Sequence, residues 1–184
     1  MFSRTQSVGV FGFHTYMIQV EADISNGLPA FDIVGLPDTA VKESRDRVRA
    51  AIKNCGYKFP VSRITVNLAP ADRKKEGSIY DLPVLFAILK ASEQVKVDLS
   101  DTVMIGEVAL DGMLRSINGA LAIAITAKEN GIKNIFVPYD NAIEGAAVEG
   151  INVYGIKNVK QLIDHLIAFT TLNPASPQPP QESA

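Results

Sequence analysis

Between a strand signal and an apolar helix signal the chain carries Ala71-Asp72-Arg73-Lys74-Lys75-Glu76-Gly77-Ser78-Ile79-Tyr80-Asp81-Leu82-Pro83. Cations, acids, a glycine and a serine at such a junction suit three kinds of chemistry: a catalytic loop, a phosphate contact or a helix cap. A second concentration of charge lies upstream, where Lys42, Arg45, Arg49 and Lys53 recur at three- and four-residue spacing and Arg47 adds to them. On a helix these share a face suited to phosphates. They equally suit a solvated face, with Glu43 and Arg47 as an i,i+4 pair and the loop cations balanced by Asp72 and Glu76. Other chemistry is sparse. No Gly-x-x-x-x-Gly-Lys-Ser/Thr loop occurs, and Gly9-Val10-Phe11-Gly12 lacks the third glycine of a dinucleotide fingerprint. His14 and His165 stand alone, and Cys55, without a nearby His or second Cys, reads as an inert thiol. No metal-ligand spacing is present.

The elements that position these residues follow from pattern. Ser7 to Phe13, Met17 to Ile24 and Ala30 to Val34 read as strands separated by turn residues, and a β-meander is expected there. After Gly35-Leu36-Pro37, Asp38 or Thr39 caps a helix predicted to run to about Cys55, where Gly56 ends it. Arg63 to Leu68 is a strand. Leu82 to about Ala91 is apolar on every side and predicts a buried helix, with Pro83 confined to its first turn. Ser78-x-x-Asp81 has the spacing of a capping box. Strand and helix then alternate: a strand over Thr102 to Ala109, a helix over Gly119 to Glu129, a strand over Asn134 to Pro138. A short helix over Ala142 to Val148, a strand over Asn152 to Gly155 and a helix over Val159 to Ala168 complete the series. An α+β domain with a mixed sheet and helices packed on one face is expected.

The 184 residues suffice for one core, and the formal charge of -2 excludes polyanion binding by bulk charge, so any nucleic-acid contact needs a local patch. No stretch reaches the roughly 18 apolar residues of a membrane span, and the first residues lack a secretory signal pattern. A cytoplasmic location without membrane contact is expected. Residues 170–184, with their prolines and no apolar periodicity, predict a linker or disordered tail after a domain over 1–169.

Four stretches carry a resemblance: "FDIVGLPDTAVKESRDRVRAAI" from Phe31, "ITVNLAPADRKKEGSIYDLPVLFAIL" from Ile64, "IGEVALDGMLRSINGALAIA" from Ile105, and Gly131 to Leu166. Together they resemble the N-terminal domain of the magnesium-chelatase-like ComM/YifB family over nearly all of Met1 to Phe169. The resemblance implies a longer protein, in which an AAA+ module using ATP and Mg2+ follows this domain. It also implies a hexameric ring with neighbouring subunits as partners, and a role in DNA branch migration during natural transformation. No porphyrin or metal-insertion activity is implied for this stretch.

The same residues resemble the Lon proteolytic domain, which implies a ribosomal protein S5 domain 2-like fold. A gapless match to the Lon Lys-Asp-Gly-Pro-Ser-Ala-Gly motif lays Lys75 to Asp81 on it and puts Ile79 at the nucleophile. Matching Gly106-Glu107 and Asn118-Gly119 to the Lon Gly-Glu and Gly-Gly pairs puts Ile123 at the lysine. An isoleucine offers neither an oxygen nucleophile nor an amine, so the domain is expected to be noncatalytic. Ser78, one position away, is a replacement nucleophile only if a serine-reactive probe labels it. Two functional readings remain open: DNA contact through Arg73, Lys74, Lys75, Lys42, Arg45, Arg49 and Lys53, or a purely structural role in ring assembly.

Overall fold

In the computed structural model, residues 1–167 and 172–177 are described. Strands β1 (Phe2–Phe11) and β2 (His14–Ser25) form a long antiparallel hairpin joined by the two-residue turn Gly12-Phe13. The strand β4 (Arg63–Ala69) pairs antiparallel with β2, and β3 (Ala30–Val34) runs parallel to β4, giving the order β1-β2-β4-β3. The expected meander is therefore corrected: β4 inserts between β2 and β3, and β3 becomes an edge strand. Alternation does the burying: Ile64, Val66 and Leu68 of β4 face inward while Arg63 points to solvent.

The helix expected to run unbroken to Cys55 is two helices, α1 (Thr39–Lys42) and α2 (Ser44–Asn54), meeting at Glu43. Asp38 caps the first through its Oδ1, which accepts from the Val41 N–H at 2.7 Å. On α2, Val48, Ala51 and Ile52 turn inward against α3 (Asp81–Ala91). Helix α3 packs on the hairpin with one side and on α2 with another, so almost all of it is buried, as its uniformly apolar sequence requires. The inner face of β1 is partly polar, yet each hydroxyl is paired. Ser3 donates to the Ala87 carbonyl, Thr5 to that of Pro83 at 2.8 Å and Ser7 to that of Met104 at 2.9 Å.

The expected strand over Thr102 to Ala109 divides at Gly106 into β5 (Thr102–Met104) and β6 (Glu107–Val108), the latter pairing with β7 (Leu114–Arg115). A parallel sheet of order β5-β8-β9 follows, from β8 (Asn134–Pro138) and β9 (Asn152–Ile156). Helix α4 (Ala120–Glu129) and the short α5 (Ala142–Ala146) pack beside it, and α6 (Val159–Leu166) closes the unit. Two apolar clusters result, one under the first sheet around α3 and one between the second sheet and α4, with Val8 of β1 reaching into the latter. The architecture is mixed α/β, with two main sheets where one was expected. No helix among the described residues is long and apolar enough to cross a membrane. Of the expected tail, the Leu172 N–H donates to His165 Nδ1 at 3.0 Å and the Ala175 N–H to the Val153 carbonyl at 2.7 Å. Ala168, the expected end of the last helix, and the remainder of the tail lie outside the described residues.

Candidate functional site

The loop between β4 and α3 is tied down along much of its length. The Lys75 N–H donates to the Leu36 carbonyl at 3.0 Å, and the Asp38 N–H donates to the Lys75 carbonyl at 2.9 Å. Asp38, already the cap of α1, also accepts from the Gly77 N–H at 3.2 Å. This docking depends on Gly35: its φ is +102°, and a Cβ there would stand 2.3 Å from the Leu68 carbonyl oxygen. The far end is held by the Gly106 N–H donating to the Ile79 carbonyl at 2.8 Å and the Leu82 N–H donating to that of Gly106 at 3.1 Å.

Lys75 corrects the expected set of phosphate-contacting cations. It has no solvent-accessible surface, and its ammonium donates to the carbonyls of Gly35, at 2.8 Å, and Pro70. Burial holds that ammonium below the ordinary lysine value, with Asp72 opposing. It fastens two loops together and has no free face for a polyanion. Arg73 and Lys74 are exposed. The Arg73 guanidinium lies over the Tyr16 ring, 4.8 Å from its centroid, and the Tyr16 hydroxyl donates to the Lys74 carbonyl at 2.7 Å.

The capping box is also corrected. Among the described residues no side chain caps α3; the Ser78 carbonyl accepts the Asp81 N–H at 3.3 Å, while the Asp81 carboxylate is fully buried and faces elsewhere. Its Oδ2 accepts from Arg47 Nε at 2.6 Å and the Val108 N–H at 3.1 Å; its Oδ1 accepts from the Ser44 hydroxyl at 2.5 Å and Arg47 Nη2 at 3.0 Å. Burial pushes the carboxyl up, and Arg47, Ser44 and Val108 pull it back. Arg47 thus leaves the basic stripe and joins α2 to α3 and β6, its contact with Glu43 stretching to 3.7 Å. A carboxylate at the first position of a helix with no solvent face must have such a partner. That was the signal in the sequence.

Ile79 packs against both apolar clusters, and the fully buried Ile123 belongs to the second, so both isoleucines take part in apolar packing. The remaining cations collect on another face. Lys42, Arg45 and Arg63 line a groove beside edge strand β3, with Asp32 as its acid, and Arg49 and Lys53 line the adjoining one with Phe59. Among the described residues none of these five is within 4.0 Å of a carboxylate. No group of three His, Cys, Asp or Glu side chains among the described residues could hold a metal ion.

Residues 20–141, about two thirds of the chain, match the family described as subunit ChlI of Mg-chelatase. The chain belongs to this family. Within it, the chain is 52% identical over 134 residues to YifB of Salmonella typhimurium, covering 72% of this chain and 26% of that protein. It is 39% identical over 156 residues to the competence protein ComM of Haemophilus influenzae, covering 84% of the chain and 30% of the relative. A weaker similarity, 26% over 141 residues, links it to Lon protease 2 of Bacillus subtilis, covering 76% of the chain and 24% of the protease. This ChlI-family chain spans about a quarter to a third of the length of these relatives.

Proposed function

We propose that the chain is the noncatalytic N-terminal domain of a ComM/YifB-type AAA+ ATPase and that it contacts DNA through the cationic face of α1, α2 and β4. The observation that carries this reading is the placement of Lys42, Arg45, Arg49, Lys53 and Arg63. They line two adjoining grooves at the edge of a sheet, with no ion pair among the described residues to neutralise them. Such a surface answers phosphate spacing without reading bases. The similarity to a competence protein supports DNA as the polyanion. In this reading the fold is of the ribosomal protein S5 domain 2-like, Lon-related kind, the parent protein forms a hexameric ring, and its role is branch migration during the uptake of DNA. The setting is cytoplasmic. ATP and Mg2+ belong to the AAA+ module; the present stretch has no glycine-rich phosphate loop that would fit them. The apolar packing of Ile79 and Ile123 supports the absence of peptidase chemistry.

The test is binding of duplex DNA to the 184-residue chain across a salt series, with charge reversal at Arg45 and Arg49. The reading requires log affinity to fall linearly with log salt, and the reversal to flatten that slope by about 0.9 for each phosphate the variant no longer neutralises. Absence of binding at low salt refutes it. An assembly role has its own support in Leu121, Ile125 and Ile143, exposed apolar residues on the packed pair α4 and α5. Sedimentation of the chain beside the full-length protein, with and without nucleotide, separates assembly from DNA contact.

A further inference from the structure

The tip of the β1–β2 hairpin brings aromatic side chains to the Arg73-Lys74 loop, the Tyr16 hydroxyl reaching a carbonyl 58 residues away in sequence. Phe11, His14 and Tyr16 line a cleft of about 300 Å³ together with Asp72, Arg73 and Lys74. Phe13, on the turn itself, is completely exposed, and Phe11 is about half exposed. The floor of the cleft depends on a glycine. Gly9 lies opposite Tyr16 in the hairpin register, and a Cβ on Gly9 would sit 2.7 Å from the Tyr16 ring and 2.7 Å from Ile18, so the bare backbone lets the ring lie across β1. The phenol is then fixed by the Lys74 carbonyl, and the Arg73 guanidinium is stacked on the ring face. An aromatic lining, an exposed aromatic on the turn between the lining residues Phe11 and His14, and two cations offer π-stacking and phosphate neutralisation side by side.

We infer that this cleft binds an unpaired nucleobase of a single-stranded stretch of nucleic acid, stacked on the hairpin aromatics with its phosphate on Arg73 and Lys74. The inference rests on the nucleic-acid reading above but uses a different surface. Stacked bases in a duplex present no free face to Phe11 or Phe13, whereas unpaired bases do. Asp72, the acid of the lining, is placed to accept from an exocyclic base amine and turns the phosphate toward the cations. The domain thereby carries two surfaces of different preference: the α1–α2 face for phosphates of either form, and the hairpin cleft for single strands.

The experiment compares a labelled single-stranded oligonucleotide with its duplex, both titrated with the 184-residue chain at low salt. Variants are Phe13→Ala, whose fully exposed side chain has no core packing to give up, and Arg73→Glu with Lys74→Glu. With no tryptophan in the chain, tyrosine emission is the intrinsic signal, and stacking should quench it on single-strand binding. The expected result is that Phe13→Ala weakens single-strand binding by between about 5- and 150-fold, the range for losing one stacked base, and changes duplex binding less than about twofold. The double reversal should flatten the single-strand salt slope by about 0.7 for each phosphate it ceases to neutralise. Unchanged single-strand affinity in Phe13→Ala, or equal weakening for both ligands, overturns the cleft while leaving the DNA reading standing. Failure of the wild type to bind either ligand removes both. A Phe13→Ala effect confined to self-association in sedimentation also overturns it and makes the hairpin tip a protein contact.

Discussion

Replacing Arg47 with methionine tests whether the Asp81 junction holds the helices to the rest of the domain. The substitution removes two hydrogen bonds to Asp81, at 2.6 and 3.0 Å, and one to the Ala40 carbonyl at 3.1 Å, while keeping most of the apolar stem. The carboxylate stays fully buried, with only Ser44 and the Val108 N–H to face it among the described residues. Stranding one partner of a buried pair costs about 3–5 kcal/mol, a large share of the roughly 5–15 kcal/mol that holds a domain together. With a slope of about 2 kcal/mol per molar urea, the unfolding midpoint should fall by about 2 M. Asp81→Asn in the same chain removes the charge, its amide oxygen accepting from the Val108 N–H and its amide NH2 donating to the Ser44 hydroxyl, and should recover at least about 1 kcal/mol. The pH dependence has a definite sign. Burial already pushes the Asp81 carboxyl above its ordinary value, and losing Arg47 removes the leading opposing pull, so the native variant holds its proton where the unfolded chain has released it. Its deficit is therefore full above the raised folded pKa and shrinks as pH falls toward the unfolded value of about 3.9. A destabilisation below about 1 kcal/mol at neutral pH would refute the reasoning, by showing that water or relaxation satisfies Asp81.

Tyr80→Phe should be neutral or stabilising by up to about 1 kcal/mol in urea unfolding, because the buried Tyr80 hydroxyl makes no hydrogen bond of acceptable geometry among the described residues. Burial also raises its pKa, against a weak pull from the Val10 backbone; stability should therefore fall above about pH 10 in the wild type, and less steeply in the variant. Gly35→Ala meets both a positive φ and the Leu68 carbonyl, and a destabilisation of at least about 1–3 kcal/mol is expected in the same assay. Lys75→Met leaves two carbonyls unpaired and should cost about 1–3 kcal/mol of stability, whereas Lys74→Met, at the surface, should stay within about 0.5 kcal/mol.

Local pattern carried much of the fold. Strand β8 was legible to the residue, since Asn134 to Pro138 is an apolar run flanked by helix punctuation, and α4 was legible because Gly119 and Gly131 bracket it. Sheet order was not. The insertion of β4 between β2 and β3 is a long-range pairing that periodicity does not encode, and the break of β5 from β6 depends on Gly106 donating to Ile79 in a distant loop. The basic stripe was legible as spacing, apart from Arg47. Lys75 looked like its neighbours Arg73 and Lys74, and only the docked Gly35 loop decides that it points inward. The hairpin cleft is not legible in the sequence, because Phe13 reads as a strand residue until the turn at Gly12 is placed and nothing in the spacing brings Tyr16 to Arg73.

The central claim, that this domain handles DNA through its cationic α1–α2 face, is tested most directly by the salt dependence of duplex binding to the 184-residue chain. The wild type is compared with a variant reversed at Lys42, Arg45, Arg49 and Lys53. The account predicts affinity that falls linearly with log salt, and a slope in the variant reduced by about 0.9 for each of these cations that meets a phosphate. A wild type that does not bind at about 50 mM salt, or a variant with an unchanged slope, contradicts it.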